Sequence, residues 1–373
     1  MRVTAQRCSI MALALSVVAW LGGCPLVEPP SSDVTMGFNV SRDPTPVITE
    51  GVPVFESQPI FEATADKTGS HAPTIASFSD GELLAAWYAY DGPGELSGAA
   101  IYTARRPAGG QTWEAPALHI DRPEADANPV LYAEGDRVWL FCAVVPGSGW
   151  STAHIEIQQS LDRGVTWSAP RCLVGPLGSN VRFAPVRTAD GTLLLPAYDD
   201  LLQRSLFFTS ADGEAWTLRS ALQTPPPHQN LQPSVVSLRD GRVLAVLRNG
   251  GRGWLWVTAS DDSGLHWEPP ADSGFPNPGS PAALQRLASG NLILVYNDAE
   301  DVRRPLSVAI SADEGETWYP PRVIATGEGA YAYPVATQTP DGLVHIVYSH
   351  NRQWIQHVAL NEAWLVAGDG VGP

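Results

Sequence analysis

Lysine is almost absent. Lys67 is the single one in 373 residues, so nearly every cation is an arginine. Acids outnumber bases by 39 to 23, and the formal charge is −16. Such an acidic chain lacks the basic surface that neutralises phosphates, which excludes nucleic acid as the partner. Cysteine is scarce, with four in the chain. Cys142 and Cys172 are expected on non-adjacent strands of one repeat, hence as free, buried thiols. Long apolar runs are missing apart from Ile10 to Leu21, which is too short for a confident transmembrane helix. No metal-ligand spacing, phosphate loop or cofactor fingerprint is present, so neither a metal nor a cofactor is expected.

The apolar run follows Arg2 and Arg7 and ends in Leu21-Gly22-Gly23-Cys24. It reads as an export signal. Its end resembles the bacterial lipobox, which implies acylation of Cys24 and a lipid-anchored chain at the bacterial cell envelope. The expected organisation is a signal over 1–23 and a flexible, Pro- and Ser-rich tether over 24–52. A folded body over 53–362 and a tail over 363–373 follow.

Turn formers and indoles are abundant: Gly 34, Pro 33 and Trp 13. They accompany a repeat. Ser-x-Asp-x-Gly-x-x-Trp occurs at Ser160–Trp167, Ser260–Trp267 and Ser311–Trp318. A shortened copy spans Ser210–Trp216 and a degenerate one Arg106–Trp113. The period is about 50 residues, in the range of propeller blades. A second marker alternates with it: Asp80-Gly81, Gly135-Asp136, Asp190-Gly191, Asp240-Gly241, Ser289-Gly290 and Asp341-Gly342. Each is a hairpin turn followed by an apolar run suited to a strand buried on both faces. Six hairpins predict an all-β, six-bladed β-propeller. The last unit has no Asp-box after Trp354–Val358, so Val52 to Ala63 is expected to supply its outer strand and remove the open edge. The box Asp residues are read as structural, accepting backbone N–H groups in the turn.

Polar residues gather at or just before the inner strands: His71, Asp126, Asn128, Arg182, Asn230, Gln232, Asn277, Tyr331 and Tyr333. A propeller brings such starts to one axis. Arg248 and Arg303 can converge there as a cationic pocket, and guanidinium groups suit a carboxylate.

The Asp-boxes at blade spacing resemble the sialidase (neuraminidase) superfamily over about residues 55–360. That resemblance implies an exo-glycosidase of acidic sugars, with three arginines on the substrate carboxylate, a tyrosine nucleophile helped by a glutamate, and an aspartate as acid/base. Gln232 to Gly241 resembles the segment opened by the glutamate, with Gln232 in its place and Arg248 as the second clamp arginine. Arg303 matches the third arginine, with Arg304 beside it. Tyr333 matches the nucleophile, with Tyr331 as alternate. His71 stands where the first arginine is expected. Asp91 and Glu95 are the acid/base candidates, and Glu95 has the better spacing. Arg182, Asn128 and Tyr331 are further substrate-binding candidates. The implied partners are a carboxylate-bearing glycan and, through Cys24, the membrane. The alternatives are a non-catalytic propeller that binds glycan or protein, and a glycosidase of uronate-containing glycans with His71 as the proton-transfer group.

Overall fold

The computed structural model describes residues 38–40, 43–49, 51–173, 175–224, 226–251 and 253–367. The expected signal, the expected acylation site at Cys24 and the first half of the tether lie outside these residues.

Six antiparallel sheets form the body. Blade 1 runs from the axis outward as Gly69–Ser77, Leu83–Tyr90, Ala100–Arg106 and Ala117–Ile120. Blade 2 starts at Ala125–Glu134, blade 3 at Ser179–Val181 and Val186–Arg187, and blade 4 at Asn230–Ser237. Blades 5 and 6 start at Ala283–Arg286 and Tyr331–Gln338. Neighbouring inner strands pack on one another all the way round, blade 6 against blade 1. The ring is therefore the expected six-bladed propeller. Its closing strand is Phe55–Glu62, which pairs antiparallel with Trp354–Leu360.

Local chemistry explains the repeat. All six hairpin glycines, from Gly81 (φ 89°) to Gly342 (φ 86°), are left-handed, a conformation that costs a side-chain-bearing residue about 1 kcal/mol or more. Second strands such as Leu83–Tyr90 are buried almost throughout because sheets cover both faces. In the boxes, the Asp oxygen accepts a backbone N–H four residues on: Thr166 to Asp162, His266 to Asp262 and Thr317 to Asp313, each at 2.8 Å. The Ser hydroxyl accepts the Gly N–H, and the Trp167, Trp216 and Trp318 indoles donate to the Gly carbonyl.

Three expectations need correction. The tether is not free along its second half. Phe38 packs edge-on against Phe275 and Trp318, and Thr45 donates to Asp313. The apolar ring finds a partner beside the blade 5 box, which a loose linker lacks. Nor is the C-terminal segment a plain tail. Glu362–Val366 is a short helix capped by Asn361, with Trp364 buried on Phe55 and under the Arg322 guanidinium. Finally, Cys142 is a buried thiol, but Cys172 is only half-buried, because it sits on the outer strand Arg171–Leu173 of its blade, where one face is open.

Candidate active site

Proline disrupts a ladder because it has no N–H. Four inner strands carry one at the same place, and each is bulged there. Pairing slips between His71 and Thr74, Ala127 and Val130, Leu231 and Ser234, and Ala332 and Val335. The residue before each proline is left-handed: Ala72 (φ 50°), Asn128 (φ 46°), Gln232 (φ 48°) and Tyr333 (φ 60°). Non-glycine residues avoid this region, and such strain persists where surrounding structure enforces it, often at functional sites. Asn128, Gln232 and Tyr333 all line one mouth on the axis.

The mouth has about 230 Å³ of room and is lined by Glu95, Asp200, Arg248, Arg303, Tyr333 and Arg352, with Tyr88, Trp150, Tyr198 and Gln203 among others. Arg248 comes from the end of the blade 4 second strand and Arg303 from the blade 5 loop. Three arginines against two carboxylates make a cationic spot on an acidic protein.

Tyr333 is the centre of the network. Arg248 Nη1 donates to Gln232 Oε1 at 2.8 Å. A guanidinium only donates, so the Gln232 carbonyl must face it and the amide NH₂ must turn to the tyrosines. Gln232 Nε2 then donates to Tyr333 Oη at 3.4 Å and to Tyr198 Oη at 3.3 Å. Arg248 Nη1 also donates to Tyr333 Oη at 3.3 Å. Two donors converge on the phenol oxygen, and the Arg303 guanidinium lies 5.7 Å from the ring centre. Burial raises the pKa of Tyr333, but Arg248, Arg303 and the Gln232 amide outweigh it, so the phenol titrates below its ordinary value.

Glu95 faces the same space. Tyr88 Oη and Trp150 Nε1 each donate to it at 3.3 Å, and Arg352 lies at 3.6 Å. Asp200 is a second carboxyl in the mouth. Burial pushes its pKa up, with Arg248 and a bond from Gln203 opposing.

Five expected site residues lie outside this mouth. His71 is 1% exposed. Its Nδ1 meets Ser349 Oγ at 2.8 Å, and its ring lies 4.1 Å from that of Tyr333. Burial, then the Arg352 charge, holds its pKa well below the ordinary value, so it is a neutral packing partner. Arg182 is 1% exposed and donates to the carbonyls of Pro73 and Tyr333, which fixes the backbone beneath the phenol. Tyr331 is buried and donates to the Thr326 carbonyl at 2.6 Å. Arg304 is exposed and reaches the Gly329 carbonyl. Asp91 is exposed and pairs with Lys67 at 3.7 Å. In each case sequence position is right to within a strand end, but depth and direction are not encoded there.

Tyr88, Trp150, Tyr198, Asp200, Gln203 and Arg352 were not singled out from sequence. Tyr88, Tyr198 and Arg248 share a signal: they pair with His71, Asn180 and Leu231, so they top second strands beside inner-strand starts. Elsewhere, His154, Glu156 and Cys172 bring ligand-type atoms within 4.8 Å of one another. There Glu156 is already held by the Arg122 guanidinium at 2.5 Å, and a cation beside the carboxylate does not suit a metal.

A sialidase of Micromonospora viridifaciens is 25% identical over 345 residues, covering 79% of this chain and 51% of its own length. A sialidase of Bacteroides fragilis (strain YCH46) is 22% identical over 271 residues, covering 61% and 49%. The chain thus spans about half the length of these relatives. Among solved structures, the intramolecular trans-sialidase from Ruminococcus gnavus superposes with a TM-score of 0.71 at 17% identity, covering 83% of this chain and 98% of that one. The NanB sialidase from Streptococcus pneumoniae also gives 0.71, at 14% identity and with 83% and 71% covered. At these identities the likeness is one of fold. Residues 81–346 match the BNR repeat-like domain family. The chain belongs to that family, as a divergent propeller of the sialidase type.

Proposed function

We propose that the chain is an exo-acting glycoside hydrolase that removes sialic acid or another acidic sugar from glycans. The observation that carries this reading is the set of donors on Tyr333 Oη, because it favours a phenolate beside two arginines. A room of 230 Å³ lies below the ~300–1,000 Å³ of drug-sized clefts, which suits one terminal sugar. Arg248 and Arg303 hold its carboxylate. The Tyr333 oxygen attacks the anomeric carbon, and the glycosidic C–O bond breaks as Glu95 protonates the leaving oxygen. Water then cleaves the tyrosyl intermediate, giving its proton to Glu95. In the family a glutamate helps the tyrosine lose its proton. Gln232 cannot accept one, so the phenol loses its proton to water before the attack, helped by the two arginines that lower its pKa. The sialidase relatives support the substrate class. His71, buried beneath Tyr333, takes no part in proton transfer in this scheme.

The test is release of fluorophore from sialoside and uronide substrates by wild type and Tyr333→Phe. Turnover by wild type, lost in the variant, is the expected result. A second reading, a glycan-binding propeller without turnover, draws on the amide at Gln232. Retention on a glycan array with no turnover on any panel member would favour it.

The Leu21–Cys24 sequence supports a further part of the proposal, an exported chain held at the bacterial cell envelope by acylation of Cys24. Incorporation of radiolabelled palmitate into wild type and not into Cys24→Ala is the outcome that agrees with it. Equal labelling of both would not.

A further inference from the structure

A planar guanidinium binds a carboxylate through two parallel N–H bonds, and several such groups around one site fix its orientation. Arg248 and Arg303 supply two from blades 4 and 5. Blade 1 offers only His71 at the start of its inner strand, and that ring is neutral and buried.

Blade 6 supplies another cation close by. Between Val344–His350 and Trp354–Leu360 the chain turns through Asn351 (φ 56°) and Arg352 (φ 57°), two consecutive left-handed residues that are not glycine. The turn is held on both sides. Asn351 N–H donates to the Ala330 carbonyl, and Ala330 N–H donates to Asn351 Oδ1, both at 2.8 Å. The Arg352 carbonyl accepts Ser70 N–H at 2.8 Å. That last bond seats Arg352 against the residue next to His71. Its side chain is half-exposed, lines the mouth and, among the described residues, pairs with one carboxylate, Glu95 at 3.6 Å. Among the arginines, Arg352 exerts the largest charge effect on His71.

We propose that Arg352 is the third cation of the carboxylate clamp, supplied from the blade 6 turn in place of an arginine on the blade 1 strand. This rests on the reading that the mouth takes an acidic sugar. Glu95 is then its counter-ion in the empty site, and the ligand carboxylate competes with Glu95 for it.

Calorimetric titration with N-acetylneuraminate, glucuronate and the neutral N-acetylglucosamine tests this, with melting temperatures as a check on folding. For whichever acid binds wild type, Arg352→Gln weakens binding about tenfold or more. Glu95→Gln tightens it, and most of that gain disappears in the double variant. The neutral sugar is indifferent to all three. Equal acid binding by wild type and a folded Arg352→Gln, with Arg248→Gln impaired, would overturn the proposal and leave the acidic-sugar reading intact. A full Glu95→Gln gain in the Arg352→Gln background would also overturn it. Failure of wild type to bind either acid would remove both.

Discussion

Gln232 and Arg248 between them decide how Tyr333 reacts. Because both present N–H groups to the phenol oxygen, the ring is prepared to carry negative charge, not to hand a proton to a neighbour. Removing a cation must raise the phenol pKa. The ascending limb of kcat/KM against pH is therefore expected to move to higher pH in Arg248→Gln, which a pH–rate profile reads directly. The two carboxyls can be separated in the same way. Glu95→Gln should lower kcat by about 10²–10⁴-fold, the usual worth of a positioned general acid. Asp200→Asn should cost much less. The reverse order would transfer the acid role to Asp200, whose burial favours its protonated form. Much of this is legible in the sequence. Tyr333, Gln232 and Arg248 sit at fixed offsets from hairpin turns, and the turn fixes where the strand starts, whereas Arg303 is placed by its resemblance to the segment that precedes the last Asp-box. Arg352 and Asp200 were not legible, because they belong to the opposite hairpin ends, which carry no repeated marker.

Asp-boxes and hairpins are units of stability remote from the mouth. Asp313 accepts bonds from Thr317 N–H, Ser311, Thr45 and the Thr317 hydroxyl. Its replacement by Ala should lower the melting temperature by a few degrees, equivalent to about 1–2 kcal/mol, with kcat unchanged. In blade 6 a buried chain of side chains has only one proton arrangement. The Trp113 indole can only donate, so His357 Nδ1 accepts at 3.3 Å. His357 Nε2–H then donates to His345 Nδ1 at 3.0 Å, and His345 Nε2–H to Thr339 Oγ1 at 2.9 Å. Both rings are neutral, and burial pushes His345 down to about 4 and His357 well below its ordinary value. The unfolded chain binds protons on these rings below about pH 6.5, where the folded one does not. Stability from this pair is full above that pH and is lost as pH falls toward 4. Urea unfolding across that window should show the decline, and His345→Gln should flatten it. The degenerate box at Arg106–Trp113 hid this arrangement from sequence: its indole bonds to another blade, not to its own turn.

Ring closure is a property of the whole chain. Blade number followed from counting turns, since six repeats with buried faces need six neighbours to cover them. Closure by an N-terminal strand followed from the missing sixth box. The contacts of Phe38, Thr45 and Val47 and the Trp364 helix did not, because each depends on a few aromatic or hydroxyl contacts without periodicity. A chain beginning after Glu62 would leave Trp354–Leu360 as a bare edge and strip Phe55 from Trp364. It is expected to aggregate on size exclusion, while a chain beginning at Phe38 stays monodisperse and folded.

What the ring achieves is convergence: a tyrosine from blade 6 and arginines from blades 4 and 5 share one mouth. Mass spectrometry after incubation with a slow 3-fluorosialosyl fluoride tests the chemistry assigned to that convergence. The expected result is a single sugar adduct on the peptide holding Tyr333, absent in Tyr333→Phe. Turnover of sialosides with no adduct, or an adduct that persists in the variant, would contradict it.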